Sequence, residues 1–142
     1  MSVRKTLGSE AVDMPCVVNV LITDDAGIRR YNRTFRQIDK TTDVLSFPMQ
    51  VFSQAGWGNC EEIEIDESTG SLPLGDILLS SESVRRQAFE YGNSIEHETV
   101  YLTVHSTLHL LGYDHDTGVS EKIMHEKNEQ IIQETGILSN GK

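Results

Sequence analysis

The sequence predicts an α+β fold: a compact single domain over residues 1–142, with a mixed β-sheet and a central metal-bearing helix. Short apolar runs at 16–22, 42–47 and 72–79, bounded by turn-forming residues, read as strands. Between and after them, apolar residues recur at helical spacing, and over 95–111 they point in so many directions that the helix must be enclosed. A chain of 142 residues can bury roughly two-thirds of its unfolded surface around one core, which fits one domain and leaves no case for a second.

Each element has its own local reason. Val17, Val18, Val20 and Ile22 make 16–22 a β-branched run, expected as a buried strand. Asp24 can cap the next helix, where Ile28, Tyr31, Asn32 and Phe35 fall at helical spacing and Arg36 lies near the end. The strand at 42–47 is stopped by Pro48, and 53–69 mixes glycine, acid and Trp57 in an irregular excursion, with Trp57 covering apolar surface. In 72–79, Gly75 permits a bend or a close approach before Asp76. Ser80 or Ser81 begins a helix that runs to Tyr91 and ends at Gly92. Asn93 with Glu96 resembles a capping box for the central helix, in which Ile95, Val100, Leu102, Val104, Leu108 and Leu111 supply apolar area. A last helix over 119–134 packs Ile123, Ile131 and Met124 against the domain before Gly136 releases the chain. The connections between strands are long enough for helical crossovers, and a hairpin around 53–69 competes with that arrangement, so strand order stays open.

Charge and composition narrow the function classes. A formal net charge of −10 argues against indiscriminate nucleic-acid binding, because the average field repels phosphate. Its distribution is uneven: Arg29, Arg30, Arg33, Arg36 and Lys40 form a basic segment, and Glu61, Glu62, Glu64, Asp66 and Glu67 concentrate acid in a later loop. The plain reading of the basic run is a solvated helix face paired with the abundant acids; a local phosphate-binding cleft is the other. The start of the chain lacks a signal peptide's apolar region and no transmembrane stretch follows, so a cytoplasmic protein is expected. Cys16 and Cys60 form no repeated metal-binding pattern and are expected as two thiols.

The chemistry concentrates at His105, His109 and His115. His105 and His109 are four residues apart, so on a helix of about 3.6 residues per turn they project from one face and one ion can reach both. Gly112 allows a chain reversal with positive φ, and the next three residues can bring His115 back toward the pair. Three neutral imidazoles suit one zinc ion and leave a position for a water whose proton is lost near neutral pH; iron, manganese or nickel would fit the same spacing. Ordinary helix-end capping explains a histidine pair, but explains three histidines around a glycine less well. His97 and His125 lack this geometry and are expected at the surface or as caps, and Met124 is expected to pack rather than to underlie a metal. Asp43, Asp76 and Asp114 are candidate acceptors for orienting the imidazoles, each with a competing turn or capping role.

The spacing also matches the metal-ligand pattern of metzincin proteases, but Ser106 stands where their catalytic glutamate belongs and cannot replace it as a general base. The fuller string from His105 to His115 resembles the bacterial rRNA maturation endoribonuclease family of the YbeY type, whose hallmark reads His-Gly-x-Leu-His-Leu-x-Gly-Tyr-Asp-His. Here Ser106 replaces the glycine, a departure that preserves the helix if the site accommodates one hydroxymethyl group. Two further hallmarks stand in order, Thr42 to Pro48 and Leu74 to Ile77, so that the resemblance spans 32–115.

The resemblance implies a related architecture and a zinc-dependent endoribonuclease of 16S rRNA 3′-end maturation, ribosome biogenesis and ribosome quality control. Its implied partners are rRNA and immature ribosomal particles, those of the small subunit first. It also singles out Arg36 from the basic run, as the arginine that stabilises charge on phosphoryl oxygens beside His105, His109 and His115. Two routes to cleavage are open: attack by the metal-activated water, or internal attack by the ribose 2′-hydroxyl. A zinc peptidase and a ribosome assembly protein with a structural metal are the competing classes. A peptidase requires an aligned base and a peptide-binding strand, whereas RNA processing requires Arg36 to face the metal across a phosphate-sized cleft.

Overall fold

The computed structural model describes residues 2–61, 63–114 and 116–135. Its order is α1 (Ser2–Ser9), β1 (Cys16–Thr23), α2 (Asp25–Arg36), β2 (Val44–Pro48), a short 3-10 turn (Trp57–Asn59), β3 (Leu72–Ser80), α3 (Ser81–Tyr91), α4 (Ile95–Leu110) and α5 (Gly118–Thr135). The fold is α+β with a three-stranded mixed sheet in the order β1-β3-β2. β1 pairs parallel to β3 and β2 pairs antiparallel to it, so the crossover and the hairpin that compete in the sequence are both present. The excursion between β2 and β3 holds the 3-10 turn and two isolated bridges, Phe52 with Cys60 and Asp66 with Ser71.

The central strand is the most buried one. Leu72, Leu74 and Ile77 of β3 are fully buried. Gly75 sits at φ +150°, and a Cβ there would lie 2.3 Å from the Phe47 carbonyl oxygen, which is the close approach that its place in the sequence anticipates. β1, expected as buried, is an edge strand: Val20, Leu21 and Ile22 are exposed. Apolarity alone does not tell an edge strand from a central one, because position is fixed by pairing with other segments.

Two clusters pack on different faces of α4. One joins Leu102, Leu110 and Leu111 to Leu72, Leu74 and Ile77 of the sheet, and the other joins Val104 and Leu108 to Met124, Ile131 and Ile132 of α5. Two of the hydroxyls enclosed on α4 are satisfied within the helix, Thr103 donating to the Thr99 carbonyl and Thr107 to the Thr103 carbonyl, both at 2.7 Å. A third cluster of Ile28, Leu45 and Leu78 seats α2 on the sheet.

Local capping follows the sequence closely, with corrections. Asp24 caps α2 by accepting from the Gly27 amide at 2.7 Å, and Ser80 caps α3. The cap of α4 is Ser94, which accepts from the His97 amide at 2.9 Å, rather than Asn93. Asn93 is already engaged in closing α3: its amide reaches the Ala88 carbonyl while Gly92 turns left-handed at φ 68°, a Schellman closure. β2 begins at Val44, not Thr42, because Asp43 turns its carboxylate onto the Val44 amide at 2.8 Å. Ile95 and Ile123 are exposed rather than packed; on α5 it is Met124, next to Ile123, that is turned inward. α1 is absent from the sequence-based expectation; its eight residues hold few apolar positions, and it is placed by contacts with α4 and α5. Trp57 packs on the sheet-side cluster and donates to Asp13 at 3.0 Å. Cys16 and Cys60 are not joined. Among the described residues no helix is long and apolar enough to cross a membrane.

Candidate active site

α4 delivers its two histidines to one point. The ring centroids of His105 and His109 are 4.7 Å apart at 84°, and their Nε2 atoms approach to 3.1 Å. Nδ1 of His109 lies 2.8 Å from the main-chain oxygen of Tyr113, so a proton on Nδ1 donates there and leaves Nε2 with its lone pair facing His105. That carbonyl returns to the helix because Gly112 takes φ +92°, the reversal expected from its position; a Cβ there would lie 2.7 Å from Cβ of Phe52. Tyr101, one turn before His105 on α4, stacks on its ring at 6.2 Å and 12°. His115, expected as the third ligand, lies outside the described residues.

The residues present suit a zinc-like ion. Two nitrogens bound tetrahedrally at about 2.0–2.1 Å stand roughly 3.3 Å apart, close to the 3.1 Å between the two Nε2 atoms. Among the described residues no group of three or more His, Cys, Asp or Glu side chains forms a complete ligand set, so the pair needs a further donor.

Arg36 reaches the same place from another element. It is the last residue of α2, which terminates as Gln37 turns left-handed at φ 60°. Its side chain, Ser46 of β2, and His105 and His109 line one cleft of about 570 Å³ with Asp43, Asp114 and Asp116. Arg29, of the same basic run, pairs with Asp39 at 2.8 Å on the surface, as the plain reading expects. The cleft thus sets one guanidinium against three carboxylates. A phosphate entering it needs a further positive charge, which a metal at the imidazoles would provide.

Among the described residues the carboxylates do not orient the imidazoles as expected. Asp43 spends Oδ1 on Thr42 and the Val44 amide and Oδ2 on Gln87 at 3.1 Å. Asp76 accepts from Asn19 at 3.0 Å across the β1–β3 pair, and Asp114 accepts from the Asp116 amide at 3.3 Å. The acceptor for His109 is instead a carbonyl, which carries no residue-type signal; the one hint in the sequence is the reversal at Gly112. Ser106 is fully buried, and its hydroxyl is hydrogen-bonded to that of Ser46, so the hydroxymethyl group replacing the family glycine is accommodated and faces β2.

Two further histidines flank the cleft. His125 is exposed on α5 and lines a separate hollow with Tyr101, His105 and Met124. His97 is half-buried beside Glu98, and among the described residues its Nδ1 is enclosed without a partner. Burial pushes the Glu98 carboxyl above its ordinary value, and burial followed by the nearby Glu129, Glu98 and Asp43 pushes the Tyr101 phenol up as well. Met124 is buried against Val104 and Leu108, a packing role as expected.

A family model described as Endoribonuclease YbeY matches residues 2–136. The chain belongs to the YbeY family. Curated relatives of that description include a protein of Thermoanaerobacter sp. (strain X514), 45% identical over 135 residues, covering 95% of this chain and 84% of the relative. Another, from Clostridium kluyveri, is 44% identical over 138 residues and covers 93% of this chain and 84% of the relative. The solution structure of TM1509 from Thermotoga maritima superposes with a TM-score of 0.61 at 28% identity, over 94% of this chain and 75% of that one. Within this YbeY-family chain, Arg36 and the two described histidines come from elements 69 positions apart in sequence, counting from 36 to 105, and share one cleft.

Proposed function

We propose that this protein is a metal-dependent endoribonuclease of rRNA maturation, hydrolysing phosphodiester bonds at the cleft between α2, β2 and α4. The observation that carries the reading is the convergence of Arg36 with His105 and His109 on one cleft. His105, His109 and His115 would hold one zinc ion, which when bound supplies a Lewis acid and lowers the pKa of a water. The guanidinium of Arg36 binds phosphoryl oxygen in a fork and offsets charge that develops there. Tyr113 holds His109 in the tautomer that leaves Nε2 available. Ser106, buried against Ser46, is in no position to serve as a base, which weighs against the peptidase. Family membership supports an RNA substrate, with immature small ribosomal subunits and the 3′ end of 16S rRNA as the site of action.

The test compares RNA, denatured peptide mixtures and immature ribosomal particles as substrates for metal-loaded protein, with His105→Ala and His109→Ala as controls. RNA cleavage that both substitutions abolish, without peptide hydrolysis, is expected. Peptide hydrolysis that needs both histidines, with no RNA cleaved in either form, would make the peptidase the correct class. Association with particles but no catalysis would favour an assembly role.

A further inference from the structure

Three segments distant in sequence meet at Tyr113. Its hydroxyl donates to Oε1 of Glu10, the residue just beyond the end of α1. Oε2 of the same carboxylate accepts from Nζ of Lys127 on α5 at 3.0 Å, and that ammonium lies 5.3 Å from the centroid of the Tyr113 ring. The Glu10 side chain is only 5% exposed. Enclosing a carboxylate costs several kcal/mol unless its oxygens are satisfied, and an apolar residue of similar size would hold α1 to α5 at least as well. Packing alone therefore does not account for it. Directional bonds do something packing cannot: they fix where a ring points, and with it the backbone that carries the ring.

That backbone is the one facing the imidazole. The main-chain oxygen of Tyr113 accepts from Nδ1 of His109, and its amide is held by the Leu108 carbonyl at 3.1 Å. The residue before it is Gly112, a position with little conformational restraint of its own. We infer that Glu10 and Lys127 are positioning residues for His109, fixing through Tyr113 the carbonyl that selects its Nδ1-protonated tautomer. The inference rests on the reading of His109 as a metal ligand for its consequence, though not for the tautomer itself. A hydrogen bond that orients a ligating imidazole is worth about 10–100-fold in metal affinity, so this network sets affinity from outside the cleft.

The experiment uses the full chain and its Glu10→Gln, Tyr113→Phe, Lys127→Met and Lys127→Arg variants. Ser94→Ala serves as a control that weakens the far end of α4. Ring 15N–1H correlation spectra of metal-free protein report the His109 tautomer. Cobalt titration reports affinity and the visible spectrum of the bound ion, and thermal unfolding reports stability. Glu10→Gln, Tyr113→Phe and Lys127→Met should lower the Nδ1-protonated fraction of His109 and weaken cobalt binding about tenfold with an altered spectrum. Lys127→Arg should behave as the parent, and Ser94→Ala should lower the thermal midpoint while leaving tautomer and affinity alone. If Glu10→Gln and Tyr113→Phe fold and leave the tautomer unchanged, the positioning role is wrong, whatever the metal data show. If they shift the tautomer but cobalt binding in the parent does not depend on His109, positioning stands and the ligand reading fails.

Discussion

Gly112 shows how much one residue decides. Its φ of +92°, and the 2.7 Å that would separate a Cβ there from Phe52, leave no room for alanine, yet the same turn brings the Tyr113 carbonyl to His109. Gly112→Ala should cost about 2 kcal/mol of stability, read from denaturant midpoints, and should weaken metal binding more than that loss alone explains. Unchanged metal affinity would detach the turn from the site. Arg36 makes a different case, because charge and shape can be separated: Arg36→Lys retains the charge and loses the fork, and Arg36→Ala removes both. Alanine should slow RNA cleavage about a hundredfold, with lysine between it and the parent, at unaltered folding by circular dichroism. Parent-like cleavage by both variants would return Arg36 to the solvated face of α2.

At the scale of elements, the junctions carry more information than the interiors. α2 and α3 meet at Asp25, whose carboxylate accepts from Ser80 at 2.5 Å, Ser83 at 2.6 Å and Arg86 at 3.0 Å. The Ser80 bond first, then those of Ser83 and Arg86, hold the Asp25 carboxyl below its usual range. A depressed folded pKa adds stability that is complete above the unfolded value of about 3.9 and disappears as pH falls through that value to the folded one. The thermal midpoint of the parent should therefore exceed that of Asp25→Asn at pH 7, with the gap closing below about pH 4. A gap that does not shrink, or that widens, as pH falls below about 4 would show that the junction does not depend on the ionised carboxylate.

For the whole molecule, the sign of the charge constrains how RNA is held. A net charge of −10 works against a broad basic face, and the cleft itself has one guanidinium among three carboxylates. Each phosphate neutralised on a single strand contributes about −0.7 to the slope of log affinity against log salt. The slope for short RNA should lie near about −1 to −2, on the order of one or two contacts, and should become shallower in Arg36→Ala. A slope steeper than about −4 would reveal a wider basic footprint than this cleft contains.

Whatever depends on near neighbours is legible in the chain before it folds. Periodicity and caps place α2, α3 and α5 within a residue or two, the four-residue spacing puts His105 and His109 on one face, and Gly112 marks the reversal. Three hallmark strings carry the family resemblance without any geometry. Features that join segments far apart emerge only on folding: β1 lies at an edge with Val20 and Leu21 exposed, Ser94 caps α4 because Asn93 closes α3, and Asp76 faces Asn19 instead of an imidazole. Folding also brings Glu10 and Lys127 onto Tyr113 across 103 and 14 positions, a meeting no local pattern encodes. The difference is one of range. Dihedral preference and helical spacing act over a few residues, whereas burial and hydrogen-bond satisfaction are settled only when distant elements share one interior.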